Sequence, residues 1–322
     1  MSDYLVDITM PVYNHGRFLR QAIEGVVNQK TDFRFRLIIG EDCSTDNSRE
    51  IIQEYAERYP EIIVPYYHEK NIGAVPNGAF LTGKLDAKYI AICEGDDYWI
   101  DDNKLQMQVE FLESHPDFSY AFTDVYILNE MRGDKQPVYE PDYYPAPDRD
   151  VILFEDFLYS HRNIAATPTI VFRNILPRPL PEFFYKTLSI DLFMQLYLAD
   201  KGKAMHFCKK TAVYRDHSGG ISKSADSMEK GERQLVNLYN YLDEYFGGKY
   251  HKQFRRKLFE MTKVKLIYGA RDKKGTDKWK HYREQMPQYL KYSDKINVKE
   301  LLYYHMVLFF PSILKAVARK SR

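Results

Sequence analysis

Glu94, Asp96 and Asp97 crowd around Gly95 directly after an apolar run, Tyr89-Ile-Ala-Ile-Cys93. Like charges packed at a strand end repel one another unless a cation or a hydrogen-bond network sits among them. Oxygen-only ligands suit a hard ion such as Mg²⁺ or Mn²⁺, which binds one or two carboxylates and leaves positions for substrate phosphates. The plainer alternative is that these acids only cap the helix that follows.

The elements before this stretch decide what it joins. Val6–Met10 reads as a strand broken at Pro11, with Val12-Tyr13-Asn14-His15-Gly16 as its loop. A helix from about residue 17 to 28 carries Phe18, Leu19, Ala22, Ile23, Val26 and Val27 at helical spacing. A second strand, Phe35–Ile39, runs into Glu41 and Asp42, with Ser44, Thr45 or Asp46 placed to cap a helix through Arg58. Ile62–Tyr67 is a third strand, and Asn71-Ile-Gly73 turns the chain into a helix reaching about Leu85. Strands alternating with helices imply parallel crossovers, hence an α/β sheet whose ligand site lies at the carboxyl ends of its strands. Polar groups gather in the loops after those strands. No Gly-x-Gly-x-x-Gly follows the first strand, which argues against a dinucleotide-binding Rossmann domain.

Composition narrows the partners. Lys and Arg number 46 against 45 Asp and Glu, a net charge of +1, so no global field recruits nucleic acid. Three scattered cysteines supply neither a disulfide framework nor paired zinc spacing, which fits a reducing cytoplasm. The first residues lack a signal-peptide pattern, and no apolar run reaches the ~18 residues of a spanning helix. Aromatic content of 15%, with 27 tyrosines, suits nucleobase and sugar faces as well as ordinary packing.

Pro11-Val-Tyr-Asn14, Glu41-Asp-Cys-Ser-Thr-Asp46, Asn71-Ile-Gly73 and Glu94-Gly-Asp-Asp-Tyr-Trp99, in that order and spacing, resemble the family 2 glycosyltransferases of the GT-A fold. The resemblance implies a Rossmann-like mixed sheet flanked by helices, a nucleotide-diphosphosugar donor with UDP-sugars foremost, a divalent metal and inversion at the anomeric carbon. By position it implies that Asp42 contacts the base and that Pro11, Val12, Tyr13 and Asn14 line the nucleotide pocket. Glu41, Asn71, Gly73, Asn77 and Gly95 belong to that pocket, and Glu94 approaches the ribose or sugar. Asp96 would ligate the metal; Asp97 and Trp99 fall on the substrate or acceptor side. The pattern departs at Glu94, where Asp is usual.

Asp102 is placed to cap a helix from 103 to about 114, ahead of a strand at Phe118–Phe122. Residues 136–150, rich in Pro, Tyr and Asp, read as an acceptor-side loop or lid. Thr167–Phe172 reads as another strand. Leu188-Ser-Ile-Asp191 opens an amphipathic helix closed by Gly202, and Ser189 or Asp191 is its cap. This segment is similar to the family's Glu-Asp segment, which implies Asp191 as catalytic base, with Ile190 where the family has Glu. A cap-only role for Asp191 stays open. Tyr214-Arg-Asp-His-Ser-Gly-Gly-Ile-Ser222, after a strand at Ala212–Tyr214, looks like the family's flexible loop over the diphosphate, with His217 a metal or phosphate ligand and Arg215 a charge clamp. His15 and His68 have no partners at ligand spacing and receive no role.

From about Ser224 the chain becomes helical and basic, which divides it into a catalytic domain at 1–222 and a helical region at 223–322. Leu301–Leu314 is apolar and aromatic and precedes Lys315, Arg319, Lys320 and Arg322. Such a tail suits either the interface of an anionic membrane, on the cytoplasmic face, or packing on the catalytic domain or a homo-oligomer partner. The expected activity is metal-dependent sugar transfer to a glycan or lipid-linked acceptor in cell-surface polysaccharide synthesis. A nucleotidyltransferase of similar topology, or a non-catalytic nucleotide-sugar-binding domain, stands as the alternative.

Overall fold

The computed structural model describes residues 3–130, 138–140, 149–160, 164–186, 190–220, 225–268 and 275–293. The chain divides into two compact units, residues 1–238 and 239–322.

The first unit opens with β1 (Val6–Val12), α1 (Leu19–Val27), β2 (Phe35–Glu41), α2 (Ser48–Arg58), β3 (Ile63–Tyr67), α3 (Ala74–Thr82) and β4 (Tyr89–Ile92). A two-residue strand β5 (Tyr98–Trp99), α4 (Lys104–Ser114) and a long β6 (Phe118–Asn129) follow. Then come β7 (Val138–Glu140), β8 (Val151–Ile152), α5 (Phe154–Tyr159), β9 (Val171–Arg173), α6 (Ile190–Lys201) and β10 (Lys203–Asp216). Among the described residues these strands form one mixed sheet in the order β3-β2-β1-β4-β9-β6-β10-β5, with β7 on β6 and β8 on β10. β1 to β4 pair in parallel, β9 runs antiparallel between β4 and β6, and β6 and β10 are parallel to each other.

β1 is central, so both of its faces are buried and its sequence reads as a nearly continuous apolar run. Its one carboxylate, Asp7, is fully buried and fully partnered. Arg36 Nε donates to it at 2.7 Å, and the amides of Asp86 and Ala87 donate at 2.8 and 3.0 Å. α1 buries Leu19, Ala22, Ile23 and Val26, the i, i+3, i+4, i+7 stripe that the sequence shows. At the outer edge β3 carries Pro65, which cannot donate to a further strand.

Several boundaries differ from the sequence reading for local reasons. Asp102 does not cap α4: its carboxylate pairs with Lys30 at 3.0 Å, while Asp101 Oδ1 accepts from the Asn103 amide. Thr167–Thr169 forms a 3₁₀ turn rather than strand, because Pro168 cannot donate to a ladder, and pairing starts only at Val171. The strand expected at Ala212–Tyr214 is the end of the fourteen-residue β10. Val138–Glu140 pairs with β6 inside the segment expected to be irregular, most of which lies outside the described residues.

α7 (Ala225–Tyr245) leads into the second unit, where α8 (His251–Tyr268) and α9 (Gly275–Tyr292) are helical as expected. Leu266 and Tyr289 form its buried cluster with Phe259, Tyr282 and Met286. The His281 ring donates to the Lys265 carbonyl at 3.0 Å. The apolar tail at 301–314 lies outside the described residues.

Candidate active site

The carboxyl ends of β1, β2, β4, β6 and β10 share one edge of the sheet, and the polar loops converge there. The β1 loop is tied to the β2 loop by side-chain bonds that replace regular structure. Asn14, in the left-handed region at φ 56°, accepts from the Thr45 amide at 2.8 Å, while its own amide donates to Ser44 Oγ at 3.0 Å. The amides of His15 and Gly16 donate to Ser48 Oγ and Asp46 Oδ2 at 3.0 and 2.8 Å. Tyr13 is left 43% exposed at the mouth beside half-buried Pro11 and buried Val12.

Three polar residues expected in the nucleotide pocket, Glu41, Asp42 and Asn77, are buried and partnered within the protein. Glu41 accepts from the Ser44 amide and from Arg49 Nε. Asp42, 1% exposed, accepts from the amides of Ile72 and Gly73 at 2.7 and 2.9 Å, which fixes the Asn71–Gly73 turn with Gly73 at φ 91°. Asn77 donates to the Gly40 carbonyl at 2.8 Å and meets His68 Nε2 at 3.1 Å. Asn71 itself is exposed.

The acidic cluster separates into unlike members. Asp96 Oδ2 lies 3.0 Å from His217 Nε2 and 3.8 Å from His15 Nε2. Burial alone would raise the Asp96 pKa, but the His217 hydrogen bond and the neighbouring imidazoles outweigh it and hold this carboxylate below its ordinary value. Glu94 is pushed up to about 8 by burial first, then by the charges of Asp96 and Asp191. Asp97 is driven well above the usual carboxylate range, chiefly by burial, then by Asp96 and Glu94. One oxygen of Asp97 accepts from the Arg215 amide at 2.9 Å; the other is buried without a hydrogen-bond partner. Gly95 permits this crowding, because a Cβ there would meet His15 Nδ1 at 2.7 Å and Val12 Cγ2 at 2.9 Å.

Of the remaining expected site residues, Asp191 occupies the first turn of α6, half-buried, close enough to raise the Glu94 pKa. Ser189 lies outside the described residues. Trp99 faces inward, donating from Nε1 to the Pro168 carbonyl at 2.7 Å over the buried Lys104. Arg215 is only 6% exposed. His15, given no role from sequence, stands beside Asp96; its place in the loop already marked by Pro11–Asn14 was the available signal. His68 supports Asn77.

The donors around Asp96 fit a divalent cation of the harder kind that tolerates imidazole, Mn²⁺ better than Mg²⁺. An ionised carboxylate oxygen faces two imidazole nitrogens, and an orphaned buried carboxylate oxygen lies next to it in sequence. Among the described residues no three His, Cys, Asp or Glu side chains stand as a ready-made metal cage. A cation here would need oxygens from a bound substrate.

A mixed sheet whose parallel strands end at a shared polar edge is an α/β fold with its ligand site outside the carboxyl ends of those strands. The model of glycosyl transferase family 2 matches residues 7–218, more than half of the chain, and the chain belongs to that family. An uncharacterised protein of Mycobacterium tuberculosis is 34% identical over 213 residues, 66% of this chain and 59% of that protein. The match therefore spans about three fifths of the length of the mycobacterial relative. The putative teichuronic acid biosynthesis glycosyltransferase TuaG of Bacillus subtilis is 34% identical over 108 residues, 34% of this chain and 42% of its own. The Escherichia coli UDP-Glc:alpha-D-GlcNAc-diphosphoundecaprenol beta-1,3-glucosyltransferase WfgD is 31% identical over 134 residues, 41% of this chain and 51% of its own. Among solved structures, residues 1–349 of S. aureus TarS in complex with UDP-GlcNAc have a TM-score of 0.55 at 14% identity, covering 89% of this chain and 91% of that TarS 1–349 chain. The Pyrobaculum calidifontis mannosyltransferase PcManGT, solved with GDP-Man and Mn²⁺, has a TM-score of 0.53 at 12% identity, covering 91% and 86%. These likenesses confirm the expected GT-A fold.

Proposed function

We propose that this chain is an inverting, metal-dependent glycosyltransferase that moves a sugar from a nucleotide diphosphosugar, a UDP-sugar foremost, to a hydroxyl of a glycan or lipid-linked acceptor in cell-surface polysaccharide synthesis. The observation that carries the reading is the unequal charge at the end of β4: Asp96 held ionised between two imidazoles, with Asp191 electrostatically coupled to the same cluster. Membership of family 2 supports sugar transfer, and the names of TuaG and WfgD support a surface-polymer acceptor and a UDP-linked donor.

In this reading Tyr13 and Asn71, exposed at the mouth, meet the nucleotide, while Glu41, Asp42 and Asn77 shape its floor from below. Asp96 and His217 would hold the cation, which when bound offsets charge developing on the leaving diphosphate. Asp191 accepts the proton of the acceptor hydroxyl as that oxygen bonds to the anomeric carbon from the face opposite the leaving group. The anomeric carbon–oxygen bond breaks and its electron pair leaves with the nucleotide diphosphate. Buried Asp97 and Trp99 act as supports of the acidic loop. The regions 1–222 and 223–322 serve as catalytic domain and helical extension, the latter with a tail for a membrane surface or a second copy.

The test is a thermal-shift screen of UDP-, GDP-, CDP- and dTDP-sugars with and without Mn²⁺, followed by turnover of Asp96→Asn. Stabilisation follows occupancy, about 2.7 kcal/mol at a hundredfold excess over Kd. At least one donor should raise the Tm only with Mn²⁺, and Asp96→Asn should abolish transfer without lowering the Tm of the free protein. A fully active Asp96→Asn enzyme, or full turnover in excess EDTA, overturns the metal reading; donor binding without turnover selects the non-catalytic one.

A further inference from the structure

Arg215, next to last in β10, begins the segment that resembles a mobile cover for the diphosphate, where an arginine would be free to clamp phosphate. Its surroundings describe a different job. The guanidinium carbon lies 4.4 Å from the Tyr98 ring centroid on one side and 4.9 Å from the Phe18 centroid on the other. Phe18 in turn contacts the His217 ring at a centroid distance of 4.8 Å. Tyr98, Arg215, Phe18 and His217 therefore pack in one row, the Phe18 and His217 rings tilted at 53°, and its first three members are between 6% and 8% exposed. Both terminal nitrogens of Arg215 donate within the protein, while Nε is buried without a hydrogen-bond partner. Nη1 donates to the Asp96 carbonyl at 2.8 Å, Nη2 donates to Gln21 Oε1, and Nε faces Glu130 Oε1 at 3.7 Å. Glu130 also meets Arg17 at 2.9 Å. The Arg215 amide holds Asp97.

Asp96 is thus gripped at both ends by the same row. Arg215 fixes its peptide carbonyl, and His217 meets its carboxylate at 3.0 Å. A planar fork with two flat faces can stack on two rings and donate in its own plane at once, which an ammonium cannot do. A guanidinium keeps its proton in proteins, so the group also keeps a cation behind the acidic loop.

Resting on the proposed function, we propose that Arg215 and Phe18 are positioning residues that set the metal affinity of Asp96 and His217, and that Arg215 does not bind the donor phosphates. Groups that orient first ligands alter metal affinity by 10- to 100-fold when removed. A phosphate clamp would instead alter nucleotide affinity whatever the metal concentration.

The experiment is isothermal titration of UDP and of GDP into the full chain across a series of Mn²⁺ concentrations, for wild type, Arg215→Lys, Phe18→Leu and Phe18→Tyr, each checked for folding by its Tm. Positioning predicts that the Mn²⁺ needed for half-maximal nucleotide affinity rises about 10- to 100-fold in both Arg215→Lys and Phe18→Leu. At saturating Mn²⁺ the nucleotide affinity returns to within about twofold of wild type, and Phe18→Tyr, which keeps the ring, behaves as wild type. If Arg215→Lys weakens nucleotide binding at every Mn²⁺ concentration while Phe18→Leu is silent, Arg215 is a clamp and the proposal fails. An unchanged Mn²⁺ requirement in both variants also overturns it. Should Arg215→Lys not fold, the Phe18 pair decides alone. Wild-type protein that binds neither nucleotide, or binds without regard to Mn²⁺, refutes the functional reading itself.

Discussion

Lys104 is a fully buried amine of the first unit and makes a sharp prediction about its stability. It lies on α4 beneath the acidic loop. Its Nζ donates to Gln108 Oε1 at 2.8 Å and lies 4.4 Å from the Trp99 ring centroid. Burial drives its pKa from 10.5 down to about 7, only partly offset by Cys93 and Asp101. Between those values the unfolded chain holds a proton that the folded chain does not, so stability rises with pH from about 7 to about 10.5 and is flat below. A drop of about 3.5 at ~1.36 kcal/mol each gives about 5 kcal/mol over the window. The indole face favours the ammonium by ~0.5–2 kcal/mol, which reduces this to about 3–5 kcal/mol. Lys104→Met removes the proton but leaves Gln108 Oε1 without its donor, a pH-independent cost of about 1–3 kcal/mol. The stability advantage of Lys104→Met over wild type should therefore shrink by about 3–5 kcal/mol between pH 7 and pH 10.5, whatever its absolute value. Urea unfolding in a Trp279→Phe background, followed by Trp99 fluorescence, reads the first unit alone. Parallel stability curves for the two proteins across that range would refute a neutral buried amine.

Two further outcomes follow from the site and the tail. Asp191→Asn should leave nucleotide affinity intact and slow the chemical step by about 10²- to 10⁴-fold, whereas a residue that only caps α6 would leave the rate untouched and cost about 1 kcal/mol of stability as Asp191→Ala. Turnover, donor affinity and Tm of both variants separate the two. Deleting residues from Leu301 onward should abolish sedimentation with phosphatidylglycerol vesicles, while salt releases part of the intact chain; full-length protein that never sediments makes the tail a packing or oligomer element.

How far the sequence reached depended on whether a feature is local. The apolar runs of β1, β2 and β4, each ending at polar residues, mark strand ends without reference to anything distant, so the sheet edge and its loops were legible. The two residues of β5 were not, because their pairing partners Ala212 and Val213 lie over a hundred positions away and no run of two shows a period. Within the site, residue type located the acidic loop but not the exposure of its supports. Asp42 and Arg215 look alike as candidate ligand contacts until their partners are known, and those partners are 30 and 119 positions distant. His15 was passed over for the same reason, since its relation to Asp96 exists only across the β1–β4 pairing that brings Pro11 O to the Gly95 amide.

The substitution of Glu for the usual Asp at position 94 acquires a physical meaning from the way charge divides in the cluster. Three carboxylates packed this closely cannot all be ionised in a buried site, and the protein distributes the protons by giving each a different partner. Asp96 takes the imidazoles and is held below the ordinary carboxylate value; Asp97 takes only a backbone amide and an inward position and is driven well above it. Glu94, raised first by burial and then by its negative neighbours Asp96 and Asp191, is pushed up to about 8 and favours its neutral form near neutral pH. With Glu94 neutral, Asp96 and Asp191 face one negative neighbour fewer, which would suit the cation site and general base of the proposed mechanism. On the proposed mechanism, the residue that departs from the family pattern is therefore the one whose protonation would keep Asp96 and Asp191 electrostatically compatible.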